Sequence, residues 1–206
     1  MKKKLLIGIF AIIIIVIGLN LWMERDKSKA ISNVSITTIK NIPTIDVSAF
    51  YKQRDKKWAS DKLGNTSETL GKVGCLVCSI GMNLSYYGID MNPKEINKKL
   101  TTVDGYTFRG WLIWNKLSKI TEDKVSVLFP KLSHENIDKN LLTNTPVLAK
   151  LFIHRIIPHW VLIVGKKDGE YIILDPLAEG KVTNFSSYDS YIYSIRVLKI
   201  NENKND

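Results

Sequence analysis

Apolar and polar positions change rhythm three times along this chain. The first stretch has almost no rhythm: Leu5 to Trp22 is apolar apart from Asn20 and two glycines. As a helix it would reach roughly 27 Å at about 1.5 Å per residue, close to the ~30 Å hydrocarbon layer of a bilayer. It offers no polar face with which to lie on a soluble domain. Lys2, Lys3 and Lys4 precede it, while Glu24, Arg25, Asp26 and Lys27 behind it cancel. The positive-inside rule therefore predicts a transmembrane signal anchor over residues 1–23, with everything after it outside the cell. A cleaved signal peptide is the competing reading. Against it, the run is slightly long and no Ala-x-Ala site follows, although Val16 and Gly18 are small enough for cleavage. Both readings export the rest.

Residues 24–45 are polar, mixed in charge and without a strong period, and they read as a linker. Residues 46–200 are enough for one domain with a proper core, followed by a polar tail at 201–206. Within the domain a helical rhythm comes first. Gly74 to Tyr87 places Leu76, Val77, Ile80, Met82 and Leu84 on a helix that stops at Gly88. Asn92, Pro93 and Glu95 supply a cap, a proline at the first helical position and a capping-box partner for a second helix to about Leu100. Trp111, Ile113, Trp114 and Leu117 predict a third over Phe108–Lys119.

The rhythm then shortens. Val125–Phe129, Pro146–Ile153, His159–Gly165, Glu170–Leu174 and Tyr191–Ile200 are β-branched or aromatic runs, with a short helix expected at Glu135–Leu142. Lys167, Asp168 and Gly169 predict a tight hairpin connection. Helices first and an antiparallel sheet second describe an α+β domain with two halves.

Charge narrows the partners. The formal net charge is +10, from 30 Lys and Arg against 20 Asp and Glu. The lysines are scattered, no nucleic-acid motif accompanies them, and export takes the domain away from nucleic acid. A basic surface near an anionic envelope accounts for them. Only two cysteines occur, Cys75 and Cys78. A disulfide-stapled secreted domain would spread several along the chain, so this pair points to site chemistry or a buried couple.

Cys75 falls in the first turn of its helix, behind Gly74. Thiolate is the reactive form of cysteine, and the positive end of a helix favours it. Cys78 sits one turn deeper. His159 opens the run His-Trp-Val-Leu-Ile-Val-Gly, where a rigid strand can hold a general base against a facing helix. Asp175 ends the next strand, and antiparallel pairing returns that end beside His159. An acid there can fix the imidazole tautomer and stabilise the imidazolium. Gln53 carries a side-chain amide able to donate to a developing oxyanion. Taken singly, each has a bland alternative: a small buried thiol, an Asp-Pro turn, a surface glutamine. His154 reads as a hairpin-end residue and His134 as a cap or solvated residue. The histidine spacing does not suit a zinc site, and no metal or cofactor is expected.

Together, Gln53-x-Asp55-x-x-Trp58, Gly74-Cys75 with Ser79 and Met82 before Tyr86-Tyr87-Gly88, Asn92-Pro93, His159-Trp160-Val161 and Leu174-Asp175-Pro176 resemble the C39-like cysteine peptidases. The resemblance covers residues 50 to 180. It implies a papain-like fold with Cys75 as nucleophile, His159 as base, Asp175 as its orienter and Gln53 as oxyanion donor. One difference stands beside Cys75: Leu76, Val77 and Cys78 follow it, where many relatives carry Gly-Pro-Thr or similar. Transporter-fused relatives cut double-glycine leaders on the cytoplasmic side, which an outward-facing chain does not do.

The expectation is an extracytoplasmic, membrane-anchored cysteine peptidase acting on a peptide or cell-wall peptide. An amidase of cell-wall peptide would use the same residues. Other classes are an inactive surface binding module of the same fold and a thiol–disulfide protein built on C-x-x-C. No strand directly before Cys75 supplies the βαβ setting of redox motifs.

Overall fold

The computed structural model describes residues 29–154, 156–180 and 182–201. The expected anchor at 1–23 and most of the 201–206 tail lie outside them. The fold is a mixed one, with helices in the front half of the chain and an antiparallel sheet in the back half.

Five helices form. A short turn, α1 (Leu70–Val73), leads through Gly74 into α2 (Cys75–Tyr86), and α3 covers Pro93–Thr102. The predicted capping box is present: the Asn92 side chain accepts from Glu95 N, and the Glu95 carboxylate accepts from Asn92 N at 2.9 Å. A further helix, α4, is only Lys116–Ile120, and α5 is His134–Leu142 behind a Ser133 cap.

The helix expected at Phe108–Lys119 is therefore mostly absent. Residues 106–112 instead fold back in a tight turn, with a bridge between Tyr106 and Leu112 and Gly110 at φ +78°. Gly110 N donates to Thr107 O, and Thr107 N to Trp111 O. A positive φ at Gly110 interrupts a helix whatever the spacing of the aromatics around it. Phe108 is left 89% exposed and Trp111 65%.

Among the described residues, six strands make one sheet in the order β1-β6-β2-β3-β4-β5. They are β1 (Val125–Leu128), β2 (Val147–Ile153), β3 (Ile157–Lys167), β4 (Glu170–Leu174), β5 (Thr183–Asn184) and β6 (Ser194–Ile200). Every pair of neighbouring strands in this sheet is antiparallel. Asp168 and Gly169, both at positive φ, make the predicted β3–β4 hairpin.

Helix α2 packs on β3 and β2. Its Val77, Ile80, Met82 and Leu84 are buried in the same apolar core as the sheet residues Ala149, Leu151, Val161 and Ile163. Each of the Val, Ile, Met and Leu side chains contributes roughly 1.5–3 kcal/mol by leaving water. Two polar contacts set where the helix lies. Ser79 Oγ donates to Trp160 O at 3.1 Å, and Tyr87 Oη to Leu198 O at 2.9 Å.

Part of the stretch expected to link anchor and domain lies against the domain. Ile31 pairs with Ile192, Val34 with Glu170, and Ile42 with Lys166, while Ile42 and Ile45 are buried. Polar neighbours hide these isoleucines from any periodic pattern. The sheet edge supplies the backbone partners that the segment itself lacks.

Candidate active site

The start of α2, the start of β3 and the end of β4 meet at one place. Cys75 is the first residue of α2, with Gly74 as its N-cap. A Cβ on Gly74 would lie 2.5 Å from Leu70 O, so only glycine allows α1 to turn directly into α2. Cys78 N already bonds to Gly74 O. The N–H groups of the first turn, beginning with that of Cys75, have no intrahelical acceptor and remain available.

His159 and Asp175 are both buried, at 2% and 0% exposure. His159 Nε2 and Asp175 Oδ1 are 2.7 Å apart. Burial alone pulls the imidazole pKa down. The hydrogen bonds to Asp175 and to the Cys75 thiol, with the charges of both, outweigh that and raise it to about 9. The ring is therefore an imidazolium at neutral pH, held between a carboxylate and a sulfur.

Asp175 is itself fixed from three sides. Besides His159, its Oδ1 accepts from Leu177 N at 2.7 Å, and its Oδ2 accepts from the Tyr188 hydroxyl. Nothing in the local pattern around Tyr188, which follows a 3₁₀ turn at Phe185–Ser187, points to this role. The Ser79 bond to Trp160 O is a second contact without a sequence signal. It ties the helix one turn after Cys75 to the residue next to His159.

Gln53 also reaches this region. Its backbone N donates to Pro176 O at 2.9 Å, directly after Asp175. Its buried amide donates from Nε2 to Gly71 O at 3.0 Å, just before α2. An amide nitrogen carries two hydrogens, so one donor remains. Trp58 supports this segment by donating from Nε1 to Lys52 O at 3.0 Å.

The other sequence candidates lie elsewhere. Cys78 is fully buried, and burial first, then the negative charges of Cys75 and Asp55, push its thiol pKa up. A thiol held protonated is a poor nucleophile. His134, expected as a cap or solvated residue, is buried and stacks on Tyr171, with Nδ1 3.0 Å from the Tyr171 hydroxyl. Its helix packs that end inward, which periodicity over nine residues does not reveal. His154 occupies a hairpin turn at φ +50°.

The family model for the peptidase C39 family matches residues 70–204, well over half of the chain. The chain belongs to the peptidase C39 family. The matched stretch of this C39 domain includes Cys75, His159 and Asp175, while Gln53 lies ahead of it. Among solved structures, a candidate C39-like peptidase from Bacillus anthracis is similar at 16% identity and a TM-score of 0.52. The match covers 80% of this chain and 100% of that one. At that identity the likeness speaks for the fold of the C39 domain alone. No curated protein matches the chain significantly.

Proposed function

We propose that this C39 domain is a cysteine peptidase on a papain-like plan, with Cys75 as nucleophile, His159 as base and acid, Asp175 as orienter and Gln53 as oxyanion donor. The observation that carries the reading is the buried His159–Asp175 hydrogen bond of 2.7 Å, with the Cys75 thiol on the same imidazole. Nε2 is occupied by Asp175, so the imidazolium carries on Nδ1 the proton that the thiol has given up, and the attacking species is the thiolate. The thiolate attacks the amide carbonyl carbon: a C–S bond forms and the π pair moves to oxygen. That oxyanion receives hydrogen bonds from the spare Gln53 amide hydrogen and the Cys75 backbone N–H. Collapse breaks the C–N bond, and His159 gives its proton to the leaving amine. Water, losing a proton to His159, then cleaves the thioester and releases the acid and the Cys75 thiol.

The apolar segment and lysine cluster at the N-terminus support a membrane-anchored enzyme facing outward, with peptide or cell-wall peptide as the substrate class.

Iodoacetamide labelling near neutral pH tests the assignment. Fast labelling is expected in wild type and in Cys78→Ser, to vanish in Cys75→Ser, and to slow markedly in His159→Ala. Fast labelling that survives Cys75→Ser would overturn it.

A further inference from the structure

Asp175 is ordinarily the end of the line in such a relay, but here its outer oxygen is held by a side chain from another element. Tyr188 donates to Oδ2, leaving Oδ1 to His159 and Leu177 N. Its ring packs against the core, 6.3 Å from the imidazole centroid and tilted 45° to it. Three elements thus face the imidazole and its acid: the helix start with Cys75, the strand end with Asp175, and the 185–190 loop with Tyr188.

That loop is itself tethered. Phe185, at its start, is fully buried. Ser190 N bonds to Tyr188 O at 2.9 Å, and Ser190 Oγ accepts from Phe152 N at 3.0 Å. Another tie comes from the N-terminal segment. Asn33 Nδ2 donates to Tyr188 O at 2.9 Å, and Ile31 pairs with Ile192 through two backbone bonds of 3.0 and 2.9 Å. A carboxylate at a strand end, followed by the turn Pro176-Leu177-Ala178, has only Leu177 N to keep it from rotating away from the ring. The hydroxyl removes that freedom.

We infer, building on the roles proposed for Cys75 and His159, that Tyr188 is a positioning residue that holds Asp175 in line with His159, and that Asn33 of the N-terminal segment holds Tyr188 in turn. The N-terminal segment is then part of the catalytic support as well as a tether. Supporting side chains of this kind act by locking the rotamer of the group that does the chemistry.

The full-length chain in detergent is the material for the test. In Tyr188→Phe the ring stays and only the hydroxyl goes. Cys75 is expected to react with iodoacetamide about tenfold more slowly at pH 7, the scale of one hydrogen bond to a charged group. The His159 titration, followed by NMR, is expected to move down by about half a pH unit or more, because a displaced carboxylate no longer stabilises the imidazolium. Tyr188→Leu should match Tyr188→Phe in both readouts. A profile like wild type in Tyr188→Phe, or a midpoint that rises, would overturn the inference, since a rise would mean that the hydroxyl only tunes the charge. Should Tyr188→Phe fail to fold, Asn33→Ala takes its place, with the same directions and smaller shifts expected and a wild-type profile counting against it. Absence of fast Cys75 labelling in wild type would instead refute the triad assignment. The His159 midpoint in Tyr188→Phe would still decide the positioning role.

Discussion

Strand β3 carries a buried charged pair at each end, and the two differ in what they leave unused. Near its end, Lys166 Nζ donates to Asp138 Oδ1 and Oδ2 at 2.9 and 2.8 Å, to Ser35 Oγ at 2.6 Å and to Thr37 Oγ1 at 2.8 Å. Three ammonium hydrogens meet four acceptors, and Thr37 also donates to Asp138 Oδ2 at 2.5 Å. Nothing remains for a ligand. Near its start, His159 spends one nitrogen on Asp175 and turns the other toward a thiol, beside a helix N-terminus and an amide with a spare donor. Saturated polar networks rigidify a fold; a network with open valences can do chemistry.

Breaking the closed end should cost the most stability. Lys166→Ala leaves the Asp138 carboxylate buried without its cation and is expected to destabilise by about 3–5 kcal/mol in urea unfolding. The rate of Cys75 labelling in the protein that remains folded should hardly change. A labelling rate that collapses with Lys166→Ala would show the two ends to be one unit. At the open end, Gln53→Ala should lower peptide hydrolysis roughly 10²–10³-fold. Alkylation of Cys75 should stay near the wild-type rate, because it passes through no oxyanion. Equal losses in both assays would remove Gln53 from the oxyanion role.

The open end also titrates. His159 has its pKa raised from 6.5 to about 9, so between those values the folded state binds more protons than the unfolded one. The stability it contributes is full below about 6.5 and disappears as pH rises through about 9, by at most about 1.4 kcal/mol per pH unit. Melting temperatures across that window should fall in wild type and fall less in His159→Ala. A smaller effect is expected from Ser79→Ala, which removes the bond between α2 and Trp160 O. About 1 kcal/mol of stability should go, with Cys75 labelling slowed severalfold as the helix loses its register on β3. Lost stability with unchanged labelling would make Ser79 a packing contact only.

Short-range features were legible in the sequence. The helix after Gly74, the Asn92–Glu95 capping box and the Asp168-Gly169 hairpin each depend on neighbours within about four residues, and each formed where expected. Antiparallel return along that hairpin also brought Asp175 back to His159. The helix expected at 108–119 failed for the same reason in reverse. Aromatics spaced like a helical face sit around a glycine whose φ is positive, and the local turn prevailed. Features set by distant partners left no trace. Tyr188 reaches Asp175 across a loop, Ser79 reaches Trp160 across the domain, and Lys166 gathers Ser35, Thr37 and Asp138 from two separate segments. No periodicity in one stretch can announce a bond made by another.

The central claim is that the Cys75 sulfur and the His159 ring are one coupled pair. NMR titration of His159 in wild type and in Cys75→Ser tests it most directly. A midpoint near 9 in wild type that drops clearly when the sulfur becomes a hydroxyl is the expected result. The same midpoint in both proteins would mean that Asp175 alone sets the imidazole, and that the thiol and the ring do not act together.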